Sequence, residues 1–115
     1  MVTKDAIGII GMGWVGTSVA ISILLRGFCQ ELLLNDVKPE IAEGEAMDLT
    51  HGSSFYPSAK VRSVQVEDMI NCKAIVVTAG RGSVPGETRL DLLVGNMQIV
   101  KQISDKLSGY KGFLI

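Results

Sequence analysis

Apolar runs of two lengths alternate along the chain, and their lengths predict alternating strands and helices. Short runs rich in Val, Ile and Leu are typical of buried strands, whereas longer runs indicate helices. The predicted strands are residues 6–10 (AIGII), 31–36 (ELLLND), 60–64 (KVRSV), 74–79 (AIVVTA) and the start of a fifth strand at 112–115 (GFLI). The predicted helices are residues 14–26, 39–51 and 89–107, with a short helical turn at VEDMI (66–70).

This alternation predicts the fold class. Continuous apolar strands separated by helices indicate a parallel sheet covered on both faces, which is a doubly wound α/β domain. At 115 residues, 47% of them hydrophobic, the chain has the composition of one globular domain. The last run, GFLI, stops without a turn or a polar tail, so we expect this chain to be a fragment of a longer protein.

Charge and composition exclude several classes of function. A net charge of -1 provides no basic field for nucleic acid or anionic lipid. The apolar run at 15–25 is shorter than the ~20 residues of a membrane-spanning helix, so we expect no membrane segment. Cys29 and Cys72 have no metal-ligand spacing with His51, which predicts no metal site and favours a reducing, cytoplasmic location.

A glycine motif between the first strand and the first helix predicts a dinucleotide site. Gly11, Gly13 and Gly16 fit the pattern G-x-G-x-x-G. The first glycine permits a tight turn, the second lets a pyrophosphate approach the backbone, and the third lets the helix lie close to the strand. The helix N-terminus then offers N–H groups to the phosphates. The expected cofactor contacts in this turn are Gly11, Met12, Gly13, Trp14, Val15 and Gly16.

Asp36 strengthens this interpretation because it ends the second strand twenty residues after Gly16. An acidic side chain at this position can accept hydrogen bonds from the adenosine ribose. It would also repel a 2'-phosphate, so the sequence favours NAD over NADP, although Lys38 could soften this preference. A cap on the helix that starts near Pro39 is the alternative role for Asp36.

Five segments together resemble the amino-terminal half of the lactate/malate dehydrogenase family, and most closely its L-lactate dehydrogenases. They are GMGWVG, LLLND, AEGEAMDLTHG, IVVTAG and PGETRLDLLVGN, and the resemblance spans essentially all 115 residues. It implies an NAD-dependent oxidoreductase acting on a small 2-keto or 2-hydroxy acid. It also implies a Rossmann sheet in the order 3-2-1-4-5 over residues 1–115, truncated before the catalytic domain, and a homo-oligomer when full length.

By the same resemblance, GRGSVPGETR matches a mobile loop that closes over bound substrate. Arg89 would be the catalytic arginine, which the loop carries inward to polarise the substrate carbonyl. A guanidinium suits this task because hydride transfer builds negative charge on the carbonyl oxygen. The alternative is that Arg89 is only a solvated residue at a helix start.

Other residues take their roles from the resemblance as well. Ser83 matches the position that reads the substrate's third carbon, where malate dehydrogenases carry arginine and many lactate dehydrogenases carry glutamine. Serine favours a monocarboxylate, while Arg81 remains an alternative reader of a second carboxylate. Thr78, Ala79 and Gly80 match the strand end along the cofactor. Asn96 matches a position near the nicotinamide ribose, or is an ordinary helix residue.

His51 is the only histidine, yet the resemblance assigns it to a supporting helix end in MDLTHG. The catalytic histidine, its aspartate partner and the carboxylate-binding arginine would lie beyond Ile115. We therefore expect the 115-residue chain alone to be inactive. Malate dehydrogenase is the alternative enzyme, and a non-catalytic dinucleotide-binding module is the alternative from another class.

Overall fold

The computed structural model describes residues 4–115, so the first three residues of the predicted domain lie outside the described part. The described strands are β1 (Lys4–Ile10), β2 (Glu31–Asn35), β3 (Lys60–Ser63), β4 (Cys72–Val77) and β5 (Phe113–Leu114). The α-helices are α1 (Trp14–Arg26), α2 (Pro39–His51) and α3 (Arg89–Lys106). Two short 3-10 helices, Ser53–Phe55 and Val66–Met69, complete the elements.

The strands form one parallel sheet in the order β3-β2-β1-β4-β5, which confirms the predicted order. The chain runs outward from β1 through β2 to β3 and then returns to place β4 on the other side of β1. The connections therefore diverge at the carboxyl ends of β1 and β4. In open α/β sheets, such a switch point forms a crevice in which ligands bind.

Alternate residues of the central strands supply the two halves of the core. Ile7 and Ile9 of β1 pack with apolar residues of α1 and α2 on one face of the sheet. Ala6 and Ile10 face the opposite side, where they pack with Val66 and other buried residues. Both faces of the central strands are thus buried, which is why these strands are continuously apolar in sequence.

The predicted strand bounds differ from the structure by one or two residues: β1 starts two residues earlier than predicted and β5 one residue later. β2 ends at Asn35 rather than Asp36, β3 ends at Ser63, and β4 both starts and ends two residues earlier than predicted. Asp36 lies beyond the last pair of the β1–β2 ladder, Ile10 with Asn35, and its carboxylate accepts hydrogen bonds from the backbone N–H groups of Met12 and Lys38. Composition alone could not locate these ends, because the flanking residues are compatible with an extended strand.

Helix α3 is packed mainly at its C-terminal end. Ile103 of α3 and Leu107, the first residue after the helix, pack in the core that contains Ala6 and Ile10. Towards the N-terminus the apolar side chains of Leu93, Val94 and Met97 stay about half exposed. Among the described residues, only those at the C-terminal end of α3 are packed against the rest of the domain.

Candidate functional site

A cavity of about 540 Å³ lies at the carboxyl edge of the sheet, where the strand order reverses. The turn after β1, Asp36 after β2 and the residues after β4 all contribute to its wall. The structure thus brings together most of the predicted cofactor residues. Those lining the cavity are Gly11, Met12, Gly13, Asp36, Thr78, Ala79 and Gly80.

The three motif glycines occupy three different environments. Gly11 has a φ of 100°, and a Cβ there would lie 2.6 Å from the Ala79 backbone nitrogen. At Gly16 a Cβ would lie 1.9 Å from the carbonyl oxygen of Gly11, so only glycine lets α1 begin this close to the turn. Around Gly13, in contrast, a Cβ would meet nothing within 4 Å. Of the three motif glycines, only Gly13, which is expected to face a pyrophosphate, has open space where a Cβ would lie.

Backbone and side-chain hydrogen bonds hold this turn in place. The Gly11 N–H donates to the carbonyl of Asn35 at 2.8 Å, which ties the turn to the end of β2. The Thr78 hydroxyl donates to the carbonyl of Gly11 at 2.7 Å, which ties it to the end of β4. The turn is therefore fixed from both neighbouring strands before any ligand binds.

The N-terminus of α1 faces the same edge of the sheet. Its N-cap is Gly13, which has no side chain to accept the first helical N–H groups, and its first turn contains no acidic residue. Trp14 and Val15, which start the helix, are exposed. A helix start without a capping carboxylate keeps its N–H groups and the positive end of its dipole for an anion.

The Asp36 carboxylate is held by two backbone groups. One oxygen accepts a hydrogen bond from the N–H of Met12 at 2.8 Å, and the other accepts from the N–H of Lys38 at 3.0 Å. These bonds orient the carboxylate at the cavity wall and leave each oxygen with further acceptor capacity. The alternative role of Asp36 as a helix cap is wrong, because the N-cap of α2 is Lys38 and no side chain caps this helix; Asp36 instead closes the turn before the cap.

The loop between β4 and α3 is anchored at its start by Asn96. The side-chain oxygen of Asn96 accepts a hydrogen bond from the backbone N–H of Arg81 at 3.0 Å. This side chain also lies against Gly80, where a Cβ would come within 3.5 Å of the same oxygen. Asn96 is thus a structural link between the loop and α3, in addition to its predicted place near the cofactor.

A bidentate ion pair joins the two ends of this loop. Arg81 donates from Nη1 to Oε2 of Glu87 at 2.9 Å, and from Nη2 to Oε1 of the same carboxylate. The backbone N–H of Val84 donates to Oε2 at 3.1 Å. Hydrogen bonding from the guanidinium and from Val84 lowers the pKa of Glu87, and the same pair raises the pKa of Arg81. The carboxylate therefore stays ionised throughout the neutral range.

Ser83 and Arg89 are both exposed on or beside this loop. Arg89 is the first residue of α3, directly after Thr88, which forms a capping box with Asp91. A cation at a helix N-terminus is placed unfavourably with respect to the helix dipole. The exposed position is the one that the alternative, a solvated residue at a helix start, also gives to Arg89, so its catalytic role stays a prediction.

His51 lies at the end of α2 that is away from the cavity. It is the exposed last residue of α2, a helix that starts beside the carboxyl edge of the sheet and runs back towards the amino edge. Residues lining the cavity include Pro39 from the start of α2 but not His51. The position fits the predicted helix-end role.

The Arg81–Glu87 ion pair and the Asn96 anchor were both missed by sequence reasoning. Arginine and glutamate six residues apart around Pro85-Gly86 were a usable signal for the pair, because such a turn brings its flanks together. Among residues 4–115, no cluster of His, Cys, Asp and Glu is suited to hold a metal ion. Nor does any helix in that range have the length and apolarity needed to cross a membrane.

Comparison with known proteins gives a consistent assignment. Residues 5–112 match the family model described as lactate/malate dehydrogenase, NAD binding domain. The L-lactate dehydrogenase of Fervidobacterium nodosum is 42% identical over 104 residues, which cover 90% of this chain and 34% of that protein. The chain thus spans about a third of the length of the curated relatives it matches.

Solved structures agree with this match. The minor L-lactate dehydrogenase of Enterococcus mundtii superposes with a TM-score of 0.90 at 38% identity, over 96% of this chain and 36% of that one. The malate dehydrogenase of Cryptosporidium parvum superposes with a TM-score of 0.82 at 27% identity, over 97% of this chain and 37% of the other. The chain therefore shares its overall fold with these two solved dehydrogenase structures.

Proposed function

Because the chain belongs to the lactate/malate dehydrogenase family and comprises its NAD-binding domain, we propose that it is the amino-terminal part of a longer NAD-dependent L-lactate dehydrogenase. The full-length enzyme would transfer a hydride between NADH and a small 2-keto acid such as pyruvate. We further propose that it acts in the cytoplasm as a homo-oligomer. One observation carries the proposal: the glycine turn, Asp36 and the loop that leads to Arg89 converge on one edge of the sheet.

The cofactor cradle is proposed to work through fixed backbone groups. Bound at this edge, the nicotinamide cofactor would supply or accept the hydride. The open space over Gly13 suits the pyrophosphate, and the uncapped N-terminus of α1 offers N–H donors to it. Asp36 would accept hydrogen bonds from the ribose and disfavour a 2'-phosphate. Thr78, Ala79, Gly80 and Asn96 would line the path towards the nicotinamide end.

Arg89 is proposed as the catalytic residue of this chain. When the loop closes, its guanidinium would donate hydrogen bonds to the substrate carbonyl oxygen, where negative charge develops during hydride transfer. Arginine keeps its own proton and so stabilises the charge without being consumed as an acid. Closure would also exclude water from the reacting groups. We propose that the proton comes from another part of the full-length enzyme, because His51 lies at the end of α2 away from the cavity.

The substrate is proposed to be a monocarboxylate. Ser83 carries no charge, and in this structure Arg81 is engaged by Glu87 rather than available to a second carboxylate. These contacts favour pyruvate over oxaloacetate and make malate dehydrogenase the second candidate. A non-catalytic module is disfavoured by the exposed arginine at the start of α3, which would have no function there.

The proposal is tested by Arg89→Gln in the full-length enzyme. The variant keeps much of the side-chain shape and deletes its charge, so kcat for pyruvate should fall by at least about 100-fold, as when one transition-state donor is removed. The dissociation constant of NADH should change by less than about twofold, since Arg89 is proposed to act only on the reacting carbonyl. Loss of NADH affinity with kcat preserved would contradict this role.

Residues 1–115 alone are proposed to be inactive, since the one histidine of the chain, His51, does not line the cavity. Turnover of pyruvate by this chain that is abolished by His51→Ala would reassign His51 as the acid catalyst.

A further inference from the structure

The loop between β4 and α3 contains one cation, Arg81, before Arg89 is reached. Arg81 precedes Ser83 by two residues in the sequence, and its Nη1 lies 3.4 Å from the carbonyl oxygen of Gly82. Arg81 also lines the cofactor cavity. By position alone it could therefore bind an anionic group of a substrate or of the cofactor.

Glu87 prevents this by occupying the guanidinium. Both terminal nitrogens of Arg81 are bound to the two oxygens of one carboxylate, which is the strongest geometry for an arginine-carboxylate pair. The Glu87 side chain is only 9% exposed, and its carboxylate also accepts from the N–H of Val84. Because these bonds lower the pKa of Glu87, neutral pH does not release the pair.

Gly95 of α3 provides the surface on which the paired guanidinium rests. A Cβ at this position would lie 2.7 Å from Nη2, 2.8 Å from Nε and 3.1 Å from Cζ of Arg81. Any side chain larger than hydrogen would displace the guanidinium. Helix α3 thus leaves room for the guanidinium at Gly95, and the neighbouring residue Asn96 accepts a hydrogen bond from the backbone N–H of the same arginine.

We propose that Glu87 is a specificity-determining residue, which acts by holding Arg81 against Gly95 and away from the substrate. This inference rests on the proposed function. With Arg81 neutralised, the loop offers no free cation beside Ser83, so a second carboxylate on the substrate loses its hydration without gaining a partner. Monocarboxylic 2-keto acids are therefore preferred, and the preference depends on the ion pair as well as on Ser83.

The test is Glu87→Gln in the full-length enzyme, with kcat/KM measured for pyruvate and for oxaloacetate. Glutamine keeps the size of the side chain and a hydrogen-bond acceptor but removes the charge that holds Arg81. The ratio of oxaloacetate to pyruvate should rise by at least about fivefold, as expected for one partly solvated charge pair. The dissociation constant of NADH should stay within about twofold of the unsubstituted enzyme.

Two further variants test whether the released guanidinium of Arg81 is the cause of the gain. Arg81→Gln combined with Glu87→Gln should abolish the gain, because no cation is left to release. Gly95→Ala fills the space that the guanidinium of Arg81 occupies and leaves Glu87 intact. Alanine also has a higher helix propensity than glycine, so folding should be retained. It should raise the ratio in the same direction by at least about twofold, a smaller effect because the ion pair can partly re-form.

The outcomes are distinguishable. Activity on pyruvate with an unchanged ratio in both Glu87→Gln and Gly95→Ala would overturn this inference and leave the proposed function intact. A higher affinity for NADH without a change of the ratio would show that released Arg81 binds the cofactor instead, and would also overturn it. If Glu87→Gln fails to fold, Gly95→Ala alone decides. An unsubstituted enzyme that uses neither acid would overturn the proposed function and this inference with it.

Discussion

Replacing Gly13 by alanine should separate cofactor binding from folding. The backbone at this position has φ -79° and ψ -162°, which alanine adopts without strain, and a Cβ would meet no atom within 4 Å. Alanine is a poorer N-cap than glycine by roughly 0.5–1 kcal/mol. The free energy of unfolding should therefore fall by no more than about 1 kcal/mol.

The affinity for NADH should fall much further. The added methyl group would occupy the space through which a pyrophosphate approaches the first turn of α1. Displacing a phosphate from one backbone N–H group removes a charge-assisted hydrogen bond of about 1.5–3 kcal/mol. The dissociation constant should rise by about 10-fold to 100-fold, since each 1.4 kcal/mol corresponds to a factor of ten.

Gly16→Ala is the matched control because its effect should be on folding itself. Its Cβ would lie 1.9 Å from the carbonyl oxygen of Gly11 and 2.9 Å from the Thr78 hydroxyl. Either α1 or the turn must move, which costs about 1–3 kcal/mol for overpacking and about 1 kcal/mol for the Thr78–Gly11 hydrogen bond. The better helix propensity of alanine offsets only about 1 kcal/mol. A net loss of about 1–3 kcal/mol follows.

Both variants are measured in the full-length protein by urea unfolding without cofactor and by titration with NADH. Gly13→Ala should unfold close to the unsubstituted protein and bind NADH weakly, whereas Gly16→Ala should unfold earlier in the absence of NADH. The reasoning fails if Gly13→Ala binds NADH within twofold of the unsubstituted protein. It also fails if Gly16→Ala loses no stability.

Two further predictions concern selectivity. Asp36→Ser removes the ribose acceptor and the repulsion of a 2'-phosphate, so relative kcat/KM should move from NADH towards NADPH by about 1–3 kcal/mol; an unchanged ratio would leave Asp36 with only its turn-closing role. Ser83→Arg adds a cation whose charge Glu87 leaves unbalanced, because the single negative charge of Glu87 is already paired with Arg81. The kcat/KM ratio of oxaloacetate over pyruvate should then rise at least about tenfold, or ~1.4 kcal/mol. If the unsubstituted enzyme already prefers oxaloacetate and the substitution does not alter the ratio, the protein is better described as a malate dehydrogenase.

The order of elements, and the candidate cofactor residues that line one cavity, could be predicted from the sequence because both depend on local patterns. Continuous apolar strands such as AIGII and AIVVTA predicted a parallel sheet buried on both faces, and the structure confirms this. The spacing of Gly11, Gly13 and Gly16 predicted three distinct roles. In the structure Gly11 has a positive φ and Gly16 lies against the Gly11 carbonyl, whereas the space around Gly13 is open and its role towards a pyrophosphate stays a prediction.

Contacts between distant segments could be identified only in the tertiary structure. Strand ends were misplaced by one or two residues because backbone pairing with the neighbouring strand, such as that of Ile10 with Asn35 and Val77, determines where each strand stops. The Thr78–Gly11 bond spans 67 residues, and it exists because β4 returns to lie beside β1. Such contacts leave no periodic pattern in the sequence.

The state of Arg81 is the clearest case of a property decided by the fold. The sequence left it open as a reader of a second carboxylate, since an arginine two residues from Ser83 is within reach in an extended loop. In the structure the loop turns back on itself, Glu87 binds the guanidinium, and Gly95 of α3 leaves room for the pair. Sequence supplied the charges, but which charge is free depends on the three-dimensional path of the chain, because electrostatic pairing is determined by distance in space.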